Sequence, residues 1–422
     1  MSKVAIIGTG IAGMGAAHFL QKKYDITLFE QNNYVGGHTN TVMVKEGDAS
    51  LPIDTGFIVF NYQTYPHLCN LFKELGVEIK KTDMSFGVQY IPTGLEYCGS
   101  SLNHLFAQRK NILNPSYIRF LLQINRFNQE SIEVLESTAY QNMSVKEYTE
   151  LKGYSKDFTL KYLLPMTSAL WSTPTDVSLT FPILSLVRFF KNHGFLGLNT
   201  QFQWYTVEHG SHQYRDKLIT PFKNKIYVNA KVAGVKRNLD HIDIVLENGE
   251  KHHFDKVIFA CHADQALEIL GNDGTILEKR LLSPFKYQKN IATLHTDASV
   301  MPKNKLCWAA WNYRIDQIDG ETIPHCVYYM NRLQGISDKV DYFLSINDPG
   351  LVAESKKLKT IHYEHPVFTV EAMHAQRHLQ MLNEEDNNTY FCGSYFKYGF
   401  HEDALASAVE MSKKLVEIPV WT

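Results

Sequence analysis

The chain has 422 residues, enough for two or three domains at the roughly 150 residues that one domain usually takes. A hydrophobic fraction of 44% and a charged fraction of 20% are ordinary for a globular protein, and the net charge of −2 argues against nucleic-acid binding through general basicity. Six scattered cysteines, none in a CxxC pair, favour reduced thiols over disulfides or a zinc site. With no signal peptide and no apolar run of about 18 residues, we expect a cytoplasmic protein without a membrane span.

The first predicted elements are a strand, a glycine-rich turn, a helix and a second strand within residues 3–30. Gly8, Gly10 and Gly13 form a G-x-G-x-x-G motif between an apolar strand and an alanine-rich helix. Such glycines permit a tight turn, a close backbone approach to a pyrophosphate and close packing of helix on strand. Glu30 ends the second strand about twenty residues later, where a carboxylate accepts hydrogen bonds from ribose hydroxyls. This pattern predicts a dinucleotide site with its phosphates at the helix N-terminus.

The middle of the chain predicts mainly helices. Residues 114–137 carry apolar side chains at helical spacing, and Asn114 is a suitable cap for the start of that helix. A capping-box pattern, Ser-x-x-Glu, at 144–147 predicts a second, shorter helix. Further helices are expected at residues 155–171 and 181–193.

Strands return after about residue 225. The strand-like runs are residues 226–235, 241–246, 255–260 and 389–392. Asn248-Gly249 is a hairpin turn signal between two of them. A glycine-rich turn and a helix from about 403 to 416 complete the last predicted segment.

Because these segments interleave, we predict a mixed α/β fold in which a Rossmann-like domain and a substrate-binding domain are each built from separate pieces. The predicted nucleotide-binding domain comprises residues 1–84, 216–284 and 371–422. The predicted substrate-binding domain comprises residues 85–215 and 285–370.

The Rossmann pattern alone does not separate FAD from NAD, but three further blocks do. These are the doublet Gly36-Gly37, the segment Asp54-Thr-Gly-Phe57 and the C-terminal stretch Gly393-Ser-Tyr through Ala404. Together with the glycine turn they resemble the flavin amine oxidase superfamily, which includes amine oxidases, protoporphyrinogen oxidases and carotenoid desaturases. The resemblance implies FAD as the cofactor. It departs from the family at His38, where most members have an arginine.

The resemblance also implies which residues contact FAD. They are Gly8, Gly10, Ile11, Ala12, Gly13, Glu30, Gln31, Gly36, Gly37, His38, Thr39, Thr55, Gly56, Phe57, Val232, Gly393, Ser394, His401 and Ala404. Candidates for the reacting end of the site surround the last turn: Tyr395, Tyr398, Phe400 at the family's aromatic-cage position, and His401. Core packing is the alternative for these aromatic side chains, and helix capping is the alternative for His401, whose usual near-neutral titration suits acid–base chemistry.

A narrower resemblance is to a bacterial branch of predicted flavoproteins whose genes often accompany cyclopropane or methyl fatty-acid synthases. It is carried by Gly36–Thr41, Asp54–Asn61, Asn192-His-Gly194, Trp308–Asn312 and Gly393–Asp403. One departure is Glu208-His-Gly-Ser211, where the branch tends to have Gly-Gly-Ser. The resemblance implies an FAD-dependent oxidoreductase, an oxidase or desaturase acting on a C–H bond of a fatty-acyl or lipid chain. An amine oxidase, a double-bond isomerase and a non-catalytic FAD-binding partner of a lipid methyltransferase remain alternatives.

Several smaller expectations complete the sequence analysis. Lys286 and Lys289 are candidates to reach the flavin, because related oxidases place a lysine near its N5 atom. Residues 182–195 mix apolar and basic side chains, which suits either peripheral membrane contact or an amphipathic core helix. Aromatic material for a substrate pocket comes from Trp171, Trp204, Tyr205, Trp308 and Trp311. The histidine spacing predicts no metal site, and the sequence leaves the oligomeric state open.

Overall fold

A computed structural model describes residues 1–171, 178–192, 194–197, 202–318, 320–384 and 388–417 of the chain. Its helices, in chain order, are α1 (Ile11–Leu20), α2 (Pro66–Glu74), α3 (Leu102–Leu105), α4 (Pro115–Glu130), α5 (Val145–Leu151), α6 (Lys156–Phe158), α7 (Leu164–Trp171), α8 (Ile183–Asn192), α9 (His212–Ile219), α10 (Ala263–Leu270), α11 (Ile276–Leu282), α12 (Met330–Gln334), α13 (Val370–Gln376) and α14 (His401–Ser412).

The strands are β1 (Lys3–Ile7), β2 (Asp25–Phe29), β3 (Thr41–Glu46), β4 (Ala49–Asp54), β5 (Ile79–Thr82), β6 (Phe86–Tyr90), β7 (Leu95–Cys98), β8 (Trp204–Val207), β9 (Ile226–Tyr227), β10 (Val232–Arg237), β11 (Ile242–Leu246), β12 (Lys251–Phe254), β13 (Lys256–Phe259), β14 (Lys286–His295), β15 (Trp311–Ile318), β16 (Glu321–Tyr329), β17 (Phe343–Ile346), β18 (Lys357–Val367) and β19 (Thr389–Phe391). Helices and strands alternate through the chain, which confirms the predicted mixed α/β class.

A five-stranded parallel sheet, in the order β19-β13-β1-β2-β9, forms the base of the predicted dinucleotide site. Its central strands β1 and β13 are almost wholly apolar and buried, as expected of parallel strands covered on both faces. The carboxyl end of β1 leads into the glycine turn and that of β2 into Glu30. The topology therefore places both sequence signals at one edge of the sheet.

Close contacts at two glycines join α1 to the sheet and to the last helix. A Cβ atom on Gly13 would lie 2.0 Å from the carbonyl oxygen of Gly8, whose φ of +101° is itself a conformation that favours glycine. A Cβ atom on Gly15 would lie 2.7 Å from Cδ1 of Leu405 in α14. The first helix thus packs directly against both the turn before it and the helix that ends the described chain.

A seven-stranded sheet, in the order β18-β14-β17-β16-β15-β6-β7, forms the second main layer. All its neighbouring strands are antiparallel except β15 and β6. One side of this sheet contributes Tyr313, Leu344 and Ile361 to the same buried cluster as α1 and β4. Residues of the second sheet therefore lie within reach of the site that the first sheet builds.

Three smaller antiparallel sheets complete the described strands. They are β10-β11-β12, β3-β4 and β5-β8. The predicted Asn248-Gly249 turn is confirmed between β11 and β12, where Gly249 has φ +87° and its N–H donates to Leu246 O at 2.9 Å. The β5-β8 ladder joins segments that the predicted domain bounds separate, at residues 84 and 215, and those bounds stay a prediction.

Side-chain caps mark the start of several described helices. Asn114 Oδ1 accepts hydrogen bonds from the N–H groups of Ser116 and Tyr117, which confirms the predicted start of α4. The capping box of Ser144 and Glu147 is also confirmed. Helix α14 begins two residues before its predicted start. The carboxylate of Asp403 accepts from the N–H groups of Tyr398 and Phe400, which closes the preceding turn onto the helix.

Two predicted elements are divided in the structure. The run 226–235 splits into β9 and β10, because Asn229 between them takes a left-handed conformation with φ +52°. The predicted helix 155–171 is interrupted by a π-helical turn, Thr159–Leu163. Apolar periodicity does not report either feature, since both preserve the burial of the side chains around them.

Helix α8 lies in the segment 182–195, for which the sequence suits either peripheral membrane contact or an amphipathic core helix. Its apolar side chains, including Ile183, Leu186 and Phe190, are buried in a core cluster, while Arg188 is exposed. This packing supports the interpretation as an amphipathic core helix, and peripheral membrane contact stays a prediction. Among the described helices, none is long and apolar enough to span a bilayer.

The contact of Gly13 with Gly8 generates a stability prediction. Gly13→Ala is expected to lower the free energy of unfolding by about 3 kcal/mol, since its Cβ would overlap a backbone carbonyl that cannot move without displacing β1. Gly234→Ala is the matched control, because no atom lies within 4 Å of its Cβ position. Urea denaturation measures both variants. Equal midpoints for Gly13→Ala and the unaltered protein would contradict the packing described here.

Candidate functional site

The glycine turn leaves space where a phosphate group requires it. Gly10 is the residue before α1, and no atom lies within 4 Å of its Cβ position. The loop of the glycine doublet approaches from the other side, with the Cβ position of Gly37 only 3.3 Å from Gly10 Cα. Ile11 and Ala12 begin α1, so the unpaired N–H groups of its first turn adjoin this space. The arrangement fits a pyrophosphate held by backbone donors and the helix dipole.

Glu30 is buried at the end of β2, where the sequence predicts it. Its Oε2 accepts from Thr9 N at 3.1 Å and Thr9 Oγ1 at 2.6 Å, and its Oε1 accepts from Asn32 N and Nδ2 at 2.9 Å each. A carboxylate offers about four lone-pair positions, so these donors occupy all of them. A ribose hydroxyl can bind Glu30 only by displacing one donor, and the exposed Asn32 side chain is the one free to move. Gln31, beside it, is exposed.

The segment before β10 lies against the same strand end. Ala230 N donates to Glu30 O at 2.8 Å, and Asn229 N donates to Asn32 O at 2.9 Å. Val232 follows and is buried opposite Leu246 in the three-stranded sheet. The structure therefore places Val232 near the Glu30 end of the site, and its predicted contact with the adenine side stays a prediction.

Backbone hydrogen bonds join the loop of the glycine doublet to the segment Asp54–Phe57, which we call the Thr55 segment. Phe57 N donates to His38 O at 2.7 Å, and Thr55 N donates to Asn40 O at 2.9 Å. A Cβ atom on Gly56 would lie 2.2 Å from His38 O. Gly56 is therefore required for this pairing, which brings two predicted cofactor-binding segments into one surface.

A buried carboxylate, Asp54, anchors that surface. It accepts hydrogen bonds from Thr41 Oγ1 at 2.5 Å, from Ser211 N and Oγ at 2.9 and 2.8 Å, and from Gln334 Nε2 at 2.8 Å. Burial raises the pKa of Asp54 to about 6 against the opposing effect of these donors. Asp54 thereby ties the end of β4 to the start of α9, on which Tyr214 lies.

Tyr214 brings three predicted site residues together, and sequence reasoning missed it. Its hydroxyl lies 2.5 Å from His401 Nε2 and is also hydrogen-bonded to Thr39 Oγ1. The His401 ring stacks on Phe57 with centroids 4.0 Å apart and planes at 13°. No glycine or charge pattern near Tyr214 predicts this role, because the role depends on how α9 packs on the Thr55 segment.

The expected near-neutral titration of His401 is wrong. Burial lowers the pKa of this imidazole to about 3, so it is neutral at physiological pH and cannot exchange protons as an ordinary histidine would. Its ring stacking and its bond to Tyr214 instead fix the orientation of a neutral group at the first residue of α14. Its contact with FAD stays a prediction.

The other candidates around the last turn divide into two groups. Phe400 stacks on Phe189 at 5.0 Å, and Tyr398 OH accepts from Arg188 Nη1 at 3.4 Å, so both side chains face α8. Tyr395 is 1% exposed and packs against core side chains, which supports the structural alternative for it. A catalytic role for Tyr395 stays a prediction.

Backbone contacts around Gly393 connect β19 to α14. Gly393 N donates to Ser407 Oγ at 2.8 Å, and Ser394 O accepts from Gly399 N at 3.1 Å. Ala404 N is used within the helix, where it donates to Phe400 O at 3.1 Å. These bonds fix the turn that the sequence identifies as the last flavin motif.

Neither lysine proposed to reach the flavin is buried. Lys286 and Lys289 are both exposed on β14, whereas Asn290, the next residue of the strand, is only 1% exposed. Lys289 pairs across the ladder with Glu364, on the side of the sheet away from Asn290. An amide side chain, Asn290, therefore occupies the buried position on this part of β14, and a contact of either lysine with the flavin stays a prediction.

A small apolar pocket of about 20 Å³ lies beside the second sheet. Its lining is Met84, Phe86, Met166, Phe195 and Trp311. Of the other predicted pocket residues, Trp204 and Trp308 pack in core clusters, Tyr205 contacts Phe60 and Tyr62, and the side chain of Trp171 lies outside the described residues. Trp311 is thus the tryptophan that the structure places at a pocket.

The absence of a metal site stays a prediction. Within the described ranges, the ligand atoms of His241, Asp243 and His253 lie within 4.8 Å of one another on the β11-β12 hairpin. His253 Nδ1 is hydrogen-bonded to Asp243 Oδ1 at 2.6 Å, and its side chain is 67% exposed. This surface cluster is separate in sequence from the segments that form the cofactor site.

The open position at Gly10 generates the first prediction for the site. Gly10→Ala is expected to leave the free energy of unfolding within about 0.5 kcal/mol of the unaltered protein, since its Cβ meets no atom. It should weaken FAD binding at least about tenfold, because the methyl group occupies space needed by the pyrophosphate. Flavin fluorescence on dilution of the holoprotein measures the affinity. Gly99→Ala is the control, and unchanged affinity for Gly10→Ala would contradict this placement of the phosphates.

The second prediction concerns Glu402, which is buried and accepts from His67 N and Leu68 N at the start of α2. Burial raises its pKa from 4.5 to about 7. Because the folded-state pKa is raised, its contribution to stability is complete below about pH 4.5 and is lost as pH rises to about 7. Glu402→Gln, which is neutral throughout, should therefore gain about 2 kcal/mol relative to the unaltered protein between pH 5 and pH 7.

Denaturant titration of the FAD-saturated protein at both pH values measures this difference. The control is Glu410→Gln, an exposed position on the same helix, which should show no such pH-dependent gain. The same stability difference at pH 5 and pH 7 for Glu402→Gln would contradict the assignment.

Comparisons with known proteins agree with this geometry. The model of a family described as flavin containing amine oxidoreductase matches residues 11–300. The 1-hydroxycarotenoid 3,4-desaturase of Flavobacterium sp. strain P99-3 is 24% identical over 298 residues, which are 63% of this chain and 57% of that protein. The matched region therefore spans little more than half of this curated relative.

Solved structures resemble the chain over nearly its whole length. Cyclohexylamine oxidase from Brevibacterium oxydans IH-35A has a TM-score of 0.69 at 13% identity, covering 98% of this chain and 99% of that one. The CLA-producing fatty acid isomerase from P. acnes has a TM-score of 0.68 at 13% identity, covering 98% of each chain. At these identities the likeness shows the fold alone.

The family match covers more than half of the chain and includes the glycine doublet, the Thr55 segment and strands β10 to β13. It confirms the predicted cofactor, FAD, and the class of FAD-dependent oxidoreductases. The chain belongs to the flavin containing amine oxidoreductase family.

Proposed function

We propose that the protein oxidises or desaturates a C–H bond of a fatty-acyl or other lipid chain. The observation that carries this proposal is the apolar pocket, whose five lining side chains offer no charged group. Burial of a methyl or methylene group of a ligand against this lining would contribute about 0.8 kcal/mol. A hydrocarbon chain is the ligand class that gains most from such a lining.

A row of aromatic rings connects the pocket to the turn before α14. Phe195 lines the pocket and lies 6.1 Å from Phe189, which stacks on Phe400 at 5.0 Å. Phe400 precedes His401, whose ring stacks on Phe57 of the cofactor-binding segment. An acyl chain lying along these rings would approach the reacting end of the cofactor site.

FAD supplies the hydride acceptor, its N5 atom, when it is bound. The described residues supply an apolar surface beside the last turn, which Phe400, Phe189 and Phe195 form through their ring contacts. His401 stays neutral, so it adds no charge that would have to be desolvated when an apolar chain enters. Hydride transfer to FAD from a chain bound in this way needs no catalytic acid or base among the pocket residues.

Two comparisons support a hydrocarbon substrate. The name of the Flavobacterium relative states a hydroxycarotenoid substrate, and that of the P. acnes structure states a fatty acid. The motif resemblance to flavoproteins associated with cyclopropane fatty-acid synthesis narrows the candidates to methyl-branched or cyclopropane acyl chains. Oxidation of an amine is the main alternative, on the family match and on the fold of cyclohexylamine oxidase.

Anaerobic mixing of the FAD-bound protein with candidate substrates tests the proposal. Phospholipids with cyclopropane or methyl-branched acyl chains should bleach the visible absorbance of the oxidised flavin, whereas putrescine and cyclohexylamine should not. Bleaching by the amines alone would overturn the proposal in favour of an amine oxidase. A displaced double bond without oxygen consumption in air would indicate an isomerase, and bleaching only after addition of a lipid methyltransferase would indicate a partner protein.

A charge placed in the pocket should impair lipid oxidation selectively. Met84→Glu is expected to slow flavin reduction by the acyl substrate at least about tenfold, since a carboxylate in an apolar lining opposes burial of the chain. FAD affinity should not change, because Met84 lies outside the cofactor-binding segments. Met381→Glu, at a 40% exposed methionine, is the matched control. Stopped-flow absorbance measures both, and equal rates would remove the pocket from the substrate path.

A further inference from the structure

A chain of hydrogen bonds leads from the backbone of β14 to the glycine-doublet loop. Ile291 N donates to Asn347 Oδ1 at 2.9 Å, and Asn347 Nδ2 donates to Asn290 Oδ1 at 2.7 Å. Asn290 Nδ2 lies 2.7 Å from His365 Nδ1, and His365 Nε2 lies 3.2 Å from His38 Nε2. The chain thus ends at the histidine that departs from the family's arginine.

The backbone N–H of Ile291, at the start of the chain of hydrogen bonds, fixes which group donates in every later bond. A backbone N–H can only donate, so the oxygen of the Asn347 amide faces Ile291 and its NH₂ group faces Asn290. The oxygen of Asn290 is consequently used by Asn347, and its NH₂ group must donate to Nδ1 of His365. His365 then carries its proton on Nε2 and donates it to Nε2 of His38.

His38 is left with its proton on Nδ1. This atom makes no hydrogen bond within the described part of the chain and is not among the fully buried atoms that lack a partner, so its N–H group is available to donate. The backbone of the preceding residue, Gly37, adjoins Gly10 at the start of α1. The free N–H group therefore belongs to the loop that borders the phosphate space.

We propose that this chain of amides holds His38 as a neutral imidazole whose Nδ1–H donates a hydrogen bond to an acceptor oxygen or nitrogen of bound FAD. Asn290, Asn347 and His365 are positioning residues in this arrangement, since they act on the cofactor only through His38. The proposal depends on FAD binding and is independent of the substrate.

The surroundings keep both imidazoles uncharged. Burial holds the pKa of His38 well below its usual value and lowers that of His365 to about 4, and the adjacent imidazoles add to the effect. The titratable groups near the pair are His262 with Glu364, His401, and Tyr363, whose ring stacks on His38 at 4.8 Å. In place of a family arginine, this chain offers FAD a directed dipole without a net charge.

Histidine tautomers give a direct test. Long-range proton–nitrogen NMR spectra of the ¹⁵N-histidine-labelled holoprotein should show His38 protonated on Nδ1 and His365 on Nε2, both neutral at pH 7.5. His38→Asn and His365→Asn spectra supply the assignments. A His38 protonated on Nε2, or doubly protonated, would overturn the proposal.

Measurements of FAD affinity separate the contribution of the His38 N–H donor from that of its aromatic ring. His38→Phe keeps an aromatic ring over Tyr363 and should weaken FAD binding about tenfold, the effect of losing one hydrogen bond in a buried site. His38→Asn restores an N–H donor at the same distance from the backbone and should recover most of that loss. Unchanged affinity for His38→Phe would contradict the assigned bond.

A double-substitution cycle tests the positioning role. Asn290→Leu removes the donor that fixes His365 and should weaken FAD binding about threefold in the unaltered protein, but not in the His38→Phe background. A purely structural role for Asn290 would give the same loss in both backgrounds and would overturn this assignment. His362→Leu, an exposed position on the same strand as His365, is the control and should leave FAD affinity unchanged in both.

Discussion

The buried carboxylate of Asp54 is the constraint on which the cofactor site depends. It receives donors from β3, from the residue before α9 and from α12, so three separate parts of the chain meet on one side chain. Burying a charge without such partners would cost several kcal/mol, and this set of donors offsets that cost only when all three elements are in place. The hydrogen bonds of Asp54 thereby fix the positions of the Thr55 segment and of Tyr214.

Local signals in the sequence predicted the parts of the site that are made of backbone. The glycine turn, the glycine doublet and Gly56 all lie where the motifs place them, because glycine is required wherever two backbones approach too closely for a Cβ atom. The helix caps at Asn114 and Ser144 were predictable for a similar reason, since capping needs a particular side chain at a particular offset.

The side-chain half of the site was not predictable in the same way. Tyr214, Asn290 and His365 come from α9, β14 and β18, and no spacing rule connects residues whose proximity arises from the packing of two sheets. The pKa of His401 illustrates the point, since its near-neutral expectation rests on residue type alone while burial decides the value. Several groups at the candidate site carry no charge: His38, His365 and His401 stay neutral, and the pocket lining has no charged side chain.

The packing of α1 on α14 joins residues near the two extremes of the described chain. Gly15 meets Leu405, and β19 completes the same sheet that β1 begins. During synthesis on the ribosome, the glycine turn emerges several hundred residues before the helix that covers it. The sheet that β1 begins therefore cannot be completed until β19 and α14 have been synthesised. A polypeptide that stops before β19 would carry the glycine motif but lack both the strand that pairs with β13 and the helix that packs on α1.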